Sequence, residues 1–337
     1  MRPVVVKDKK LMSLAWLVIG FILGCAVLTW GADQFVKSST VIARHYQVAP
    51  LVVGMVLVGF GTSCPELIVS LLASLKGSPD IAIGNVLGSN IANKALVGGV
   101  AALLMPLTIH SRVLFREFPF LMAVTLLVGV MFYIGALTRI EGGILLGVFA
   151  GYLTWMLIMA KKPIAQHDEL VEEMEHEAPH IAMSLRSALF WCVVGLVLLL
   201  GSAEVVVTSA SGIAAWFGLS DLMIGLTIVA IGTSLPELAA TLVSCLRKEY
   251  DLAIGNVVGS SLFNLLPVLA MPALFSPGQL SSDLVTRDYP ALLGITLLFW
   301  CFAVMPPRRG RIGVWGGLCL LLAYIAYIVI LVITAVT

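Results

Sequence analysis

The chain has 337 residues, of which 60% are hydrophobic and 12% are charged, and its formal net charge is +1. Soluble domains usually contain roughly 25% charged residues, so the mean hydropathy of +1.04 argues against a water-soluble fold. The small net charge also excludes nucleic-acid binding, because few basic groups are in excess to neutralise phosphates. The composition predicts a protein that lies in a lipid bilayer.

Apolar stretches of about 20 residues, the length that crosses a bilayer, recur ten times along the chain. They predict an all-α polytopic membrane protein with ten transmembrane helices at roughly residues 11–36, 50–75, 80–105, 117–136, 140–160, 187–212, 221–246, 251–275, 290–305 and 312–335. Glycine, proline, asparagine and serine interrupt the second, third, seventh and eighth stretches. We therefore predict broken helices in these four spans, near the midplane.

The distribution of lysine and arginine predicts the orientation. Loops after the odd-numbered spans carry 11 of these residues, against 7 in the other loops and the N-terminal tail together. The positive-inside rule then places both termini outside and makes the polar segment 161–186 a cytoplasmic linker loop. The compact ten-span plan favours a prokaryotic inner membrane.

Two halves of the chain repeat the same pattern. Residues 61–67 read Gly-Thr-Ser-Cys-Pro-Glu-Leu, and 171 positions later residues 232–238 read Gly-Thr-Ser-Leu-Pro-Glu-Leu. This offset predicts two five-helix repeats, residues 1–160 with a motif at 59–94 and residues 187–337 with a motif at 230–265, joined by the linker 161–186. Because five is an odd number, the second repeat should be inverted, and transporters of this design hold their site at the repeat interface.

The first polar cluster of each half is Gly-Thr-Ser-x-Pro-Glu. Proline frees backbone carbonyls one turn back, and such carbonyls need a partner inside a membrane. Hydroxyls and one carboxylate add further oxygen atoms. The candidates are Thr62, Ser63 and Glu66, with Thr233, Ser234 and Glu237. The glutamates could instead stabilise the helix breaks or pair with a lysine, but acids inside a membrane are usually functional.

The second polar cluster of each half supplies one serine and one asparagine four residues apart, which share a helix face. These are Ser89 and Asn93, and Ser260 and Asn264. They could also serve as helix-packing residues. Together with the first cluster they make an oxygen-only set that suits calcium and sodium rather than zinc, copper or iron. Two glutamate charges match one divalent ion or about two to three monovalent ions, which is the physical basis for exchange.

These paired motifs resemble the cation/calcium antiporter superfamily, specifically the prokaryotic sodium/calcium exchanger type, over essentially the whole chain. The resemblance implies that the threonines, serines, glutamates and asparagines named above coordinate transported Ca²⁺ and Na⁺. It also implies that spans one and six slide to alternate access. The sequence carries no P-loop, and it indicates no cofactor, no enzyme activity and no obligate protein partner besides the lipid bilayer.

Three features leave alternatives open. Many relatives have aspartate at the position of Asn264, which bears on the choice between sodium and protons as coupling ion. Lys94 follows Asn93 inside a predicted span, and it could pair with an acid such as Asp33 or reach Glu66 or Glu237. A Ca²⁺/H⁺ antiporter and a non-transporting membrane subunit with the exchanger fold are therefore the alternatives. Asp33 and Glu204 are equivalent in the two halves, and they could be gate or packing residues without an ion contact.

Overall fold

The structure is a computed structural model. It describes residues 3–109, 113–160, 183–218, 230–304 and 310–336. Most of the predicted linker 161–186 and the first part of the predicted span 221–246 lie outside these residues. The same holds for the end of the predicted span 290–305.

In the first half, the described residues form eight α-helical segments, which are α1 (Pro3–His45), α2 (Pro50–Val53), α3 (Gly59–Thr62), α4 (Cys64–Leu75), α5 (Pro79–Ile91), α6 (Gly98–Leu104), α7 (Phe118–Tyr133) and α8 (Arg139–Ala160). Turns of π-helix cover Gly54–Val58, Ala92–Val97 and Val113–Glu117. Two short strands, β1 (Leu107–Thr108) and β2 (Ala136–Leu137), lie between helices.

The second half continues with α9 (Leu185–Trp216), α10 (Ala230–Gly232), α11 (Leu235–Leu246), α12 (Tyr250–Phe263), α13 (Leu269–Phe275), α14 (Tyr289–Val304) and α15 (Val314–Val336). Its π-helical turns cover Asn264–Val268 and Leu284–Asp288. Its strands are β3 (Gly278–Gln279) and β4 (Arg311–Ile312).

The described residues contain eight helices that are long and apolar enough to cross a membrane, and a ninth span if one bent pair is counted. The bent pair joins Pro50–Thr62 to Cys64–Leu75 at an angle of 46°, as predicted for the second span. The third and eighth spans differ from the prediction, because Pro79–Leu104 and Tyr250–Phe275 are each one span. Their polar residues are accommodated by a wide π-helical turn rather than by a break.

These two spans form the centre of the molecule. Most of their residues are buried, whereas helices such as α1, α9 and α15 expose large apolar side chains on their outer faces. A helix that is apolar on its exposed face fits a lipid environment. The helix α1 also extends to His45, nine residues beyond the predicted end at residue 36, because a helix can continue past its apolar stretch with a polar final turn.

The structural segments of the two halves follow the sequence repeat. The offset of 171 residues relates α4 to α11, α6 to α13 and α7 to α14 at both ends. The short strands pair across the halves, β1 with β4 and β2 with β3, both antiparallel. In each half a tyrosine of the last helix donates a hydrogen bond to a buried acid, Tyr152 to Glu117 and Tyr327 to Asp288.

Glycines allow the second span to contact α12 at backbone distance. A Cβ atom on Gly255 would lie 2.9 Å from the Cα atom of Gly54, and a Cβ atom on Gly259 would lie 2.5 Å from the Met55 carbonyl oxygen. Small residues permit such close approach of helices in membranes, where packing replaces the hydrophobic effect as the cohesive force. This crossing brings Thr62 to the polar face of α12.

The substitution Gly259→Ala tests the crossing. The new methyl group would meet backbone atoms of Met55, which cannot move aside as a side-chain tip could, so we expect a cost of about 1–3 kcal/mol. Thermal unfolding of the detergent-purified protein should show a lower midpoint. The control is Gly143→Ala in α8, where no atom lies within 4 Å of the added Cβ and the midpoint should stay or rise. Equal midpoints for both variants would contradict a tight crossing.

Candidate functional site

Two helix interruptions set the positions of Glu66 and Glu237 in the fold. The backbone leaves helical geometry at Ser63 (φ −86°, ψ 7°) and at Ser234 (φ −93°, ψ 6°). A proline is the second residue of the next helix, in the first turn, where its missing N–H costs nothing. Glu66 and Glu237 follow in the first turns of α4 and α11, where the partial positive charge of a helix N-terminus favours a carboxylate.

Both carboxylates are buried, with 0% of Glu66 and 1% of Glu237 exposed. Among the described residues, neither carboxylate oxygen of Glu66 has a hydrogen-bond partner, and the same is true of Oε2 of Glu237. The Ser63 hydroxyl donates a hydrogen bond of 3.1 Å to Oε1 of Glu237, which joins the first half to the second. Buried acids with so few partners are costly unless a proton or a cation compensates them.

The side-chain amides of Asn93 and Asn264 are likewise buried without hydrogen-bond partners among the described residues. Both residues lie in or at the start of a π-helical turn, and each is at most 1% exposed. Neither the oxygen nor the nitrogen of either amide has a hydrogen-bond partner within the described residues, and the Ser234 hydroxyl is also without one. Since most buried polar atoms in proteins are paired, a concentration of unpaired atoms in the predicted set indicates a site that receives something else.

Thr62 and Ser260 connect the two halves directly. The Thr62 hydroxyl donates to Oδ1 of Asn256 at 3.1 Å and lies 3.4 Å from the Ser260 hydroxyl. Ser260 also donates to the Gly59 carbonyl at 3.3 Å. Of the other predicted residues, Ser89 is buried beside Glu66, and Thr233 is half-buried at the second interruption.

Two asparagines outside the predicted ligand set hold the glutamate backbones. Nδ2 of Asn85 donates to the Glu66 carbonyl at 3.3 Å and to the Ser70 hydroxyl at 3.2 Å. Nδ2 of Asn256 makes the equivalent bonds, to the Glu237 carbonyl at 3.1 Å and to Thr241 at 2.9 Å. The sequence carried a signal for them, because both belong to the repeated Gly-Asn pair, but only the structure shows what they contact.

Lys94 does not reach the glutamates. Its Nζ atom donates to the side-chain oxygen of Asn90 at 3.0 Å and to the Asn90 carbonyl at 3.3 Å. The expectation that Lys94 could pair with Asp33 is therefore wrong. The lysine turns back along its own helix to a residue four positions earlier, which shares its helix face, and it is fully buried there.

Asp33 and Glu204 lie apart from the unpaired oxygens. The Asp33 carboxylate forms ion pairs with Lys37 at 2.7 Å and with Arg247. Glu204 is exposed on α9. Neither arrangement requires an ion at these two acids.

The site is thus rich in oxygen and poor in nitrogen and sulfur. No group of three or more histidine, cysteine, aspartate or glutamate residues that could hold a metal ion occurs in the described part of the chain. Two carboxylates, two amides and several hydroxyls can surround a hard cation, which takes oxygen ligands. The same arrangement would bind a transition metal poorly.

Comparison with known proteins agrees with this chemistry. The model of a protein family described as "Sodium/calcium exchanger protein" matches residues 16–158 and 187–333 of this chain. The putative antiporter CaxA of Alkalimonas amylolytica is 41% identical over 91% of this chain and 95% of its own length. The inner membrane protein YrbG of Escherichia coli K12 is 36% identical over 94% of this chain and 98% of its own.

A solved structure of the sodium-calcium exchanger NCX_Mj, soaked with 2.5 mM Na⁺ and 0.1 mM Ca²⁺, superimposes with a TM-score of 0.78. The two chains are 31% identical, and the match covers 93% of this chain and 98% of the other. The matched regions span both halves and include every residue of the candidate site. The chain belongs to the sodium/calcium exchanger family, and it is a transmembrane cation antiporter.

Proposed function

We propose that this antiporter exchanges Ca²⁺ for Na⁺ at one site between its two halves. The observation that carries the proposal is a set of eight buried atoms that have no hydrogen-bond partner among the described residues. They belong to Glu66, Asn93, Ser234, Glu237 and Asn264. Six of them are oxygens, and carboxylate and carbonyl oxygens are the ligands that calcium takes. The names of the similar proteins support the same choice of ions.

The ligand set that we propose is Glu66 and Glu237 at the centre, with Thr62, Ser63, Ser89, Asn93, Thr233, Ser234, Ser260 and Asn264 around them. Two carboxylates compensate one Ca²⁺ or two Na⁺, so either load makes the site electrically neutral. An empty site would keep two buried charges without a partner, which opposes its movement across the membrane. This difference between loaded and empty states couples the two ions.

The arrangement that we infer is an inverted repeat of ten spans with the site at the midplane. Two observations support a two-fold relation between the halves. Helices α4 and α11 are related by the offset of the sequence repeat, and each short strand of one half pairs with a strand of the other. Such a relation lets the site open alternately to the two sides. From the loop charges we infer that both termini lie outside, and the name of the E. coli relative supports an inner membrane.

Lys94 is a reason to consider a subunit that no longer transports. A lysine bound to Glu66 or Glu237 would act as a tethered cation and occupy the site. Its contacts with Asn90 argue against that role, because they use the Nζ atom away from both glutamates. The contacts therefore favour active exchange over the non-transporting alternative.

Calcium uptake by reconstituted protein tests the proposed exchange. Proteoliposomes loaded with Na⁺ should take up ⁴⁵Ca²⁺ when placed in a sodium-free medium, and Glu66→Gln and Glu237→Gln should each reduce uptake to background. Each variant removes one of the two charges that balance calcium. The control is Asp80→Asn, which removes an exposed acid near the start of α5 and should leave uptake unchanged.

Uptake driven by a pH gradient without sodium would move the assignment to Ca²⁺/H⁺ exchange. Folded wild-type protein that takes up no calcium under either gradient would overturn the calcium assignment.

A further prediction concerns the two asparagines that donate to the backbone carbonyls of the glutamates. Asn256 is fully buried, and its amide both donates to the Glu237 carbonyl and accepts from Thr62. Asn256→Ala removes both hydrogen bonds, and each should cost about 0.5–1.5 kcal/mol. Thermal unfolding should show a lower midpoint, and the calcium concentration for half-maximal uptake should rise.

Asn85→Ala is the matched comparison. Asn85 is only half-buried, so water can replace part of its bonding and both effects should be smaller. Equal effects of the two substitutions would contradict the role assigned to Asn256.

A further inference from the structure

A cluster of charged residues outside the site joins α1 to the end of α11. Nε of Arg247 donates to Oδ1 of Asp33 at 2.7 Å, a second guanidinium nitrogen contacts the same oxygen, and Lys37 approaches the other carboxylate oxygen at 2.7 Å. Arg247 is the first residue after α11, the helix that begins with the Glu237 segment. The cluster therefore ties the long helix α1 to a helix of the candidate site.

Further along α1, polar and charged side chains also contact the segment that follows α11. Thr40 and Arg44 lie beside Glu249, which is 8% exposed. Burial raises the pKa of the Glu249 carboxyl, and the positive charge of Arg44 partly offsets that rise. Asp33, Thr40 and Arg44 are seven and four residues apart, so they follow one face of the helix. Along this face α1 packs against α11.

The other half has the same charges at the equivalent positions, but they do not meet. The offset of 171 residues relates Asp33 to Glu204 on α9 and Arg247 to Lys76 at the end of α4. Both Glu204 and Lys76 are exposed, and no ion pair forms between them. Helix α9 also lacks the extensive packing against α4 that α1 makes against α11 within the described residues. One pairing is closed and its counterpart is open.

We propose that Asp33–Arg247 and Glu204–Lys76 are two alternating latches of the antiporter. In a protein with two related halves, the opposite-facing state arises when the halves exchange their conformations. Glu204 then meets Lys76 as Asp33 leaves Arg247. This proposal rests on the alternating access proposed above, but it does not depend on which ions are carried.

The latches explain which side is closed. By the loop charges, Arg247 lies at the cytoplasmic end of α11 and Lys76 lies at the outer end of α4. The closed Asp33–Arg247 latch thus seals the cytoplasmic side, and the open pair leaves the outer side accessible. The second latch lacks an equivalent of Lys37, because Thr208 stands at that position. Because the Glu204–Lys76 latch has one positively charged side chain fewer, it should be weaker than the Asp33–Arg247 latch. The protein without bound ions should therefore favour the present conformation.

Chemical cross-linking tests the proposal in a variant whose six native cysteines are replaced. Glu204→Cys and Lys76→Cys are introduced, and a short bis-maleimide joins them in native membranes when they approach each other. We expect a low yield that rises several-fold when Asp33→Asn or Arg247→Gln is added. Asp33→Glu, which keeps the charge, should leave the yield low, as should the control Lys248→Gln beside Arg247.

The outcomes separate the latch from the identity of the ions, because the cross-link needs no ion gradient. A yield that stays the same with Asp33→Asn and with Arg247→Gln, in protein that elutes as a single folded species, would overturn the latches. The predicted rise in yield from a protein that exchanges no Na⁺ for Ca²⁺ would retain the latches and overturn the assignment of ions.

Discussion

The structure depends on one electrostatic constraint, the burial of two carboxylates inside a bilayer. An ionised side chain at the centre of a membrane costs at least about 2.5–3.5 kcal/mol, and Glu66 and Glu237 are both fully buried. Few groups in the described part of the chain offset this cost, where the Ser63 hydroxyl donates a hydrogen bond to Glu237 and both carboxylate oxygens of Glu66 have no hydrogen-bond partner. A cation is the compensation that fits the unpaired oxygens around them. A site that is stable when loaded and costly when empty is what an exchanger needs.

The remaining architecture delivers oxygen atoms to this place without opening the backbone to lipid. Glycines let the second span and α12 cross closely, so that Thr62 reaches Asn256 and Ser260. The helix breaks at Ser63 and Ser234 put each glutamate on a helix N-terminus. Wide π-helical turns carry Asn93 and Asn264 within continuous spans, which keeps most backbone bonds intact while two amides stay unpaired.

The sequence predicted the parts of this arrangement that depend on local pattern. Apolar length located the spans that the described residues contain, and the repeated motif singled out Glu66 and Glu237, which the structure shows to be buried. The π-helical turns could not be predicted, because they depend on packing between spans rather than on local residue preference. The same limit applies to Asp33 and Arg247, which are 214 positions apart. The Lys94 contact was accessible in principle, since Asn90 stands four residues before it on the same helix face.

The most direct test of the central claim is the position of a bound divalent ion. Crystals of the protein soaked in sodium-free Sr²⁺, a heavier substitute for Ca²⁺, should show one strong anomalous peak between the carboxylates of Glu66 and Glu237. Adding Na⁺ should remove that peak as sodium takes the same oxygens. Strontium bound elsewhere, with the two glutamates left without an ion, would contradict the account.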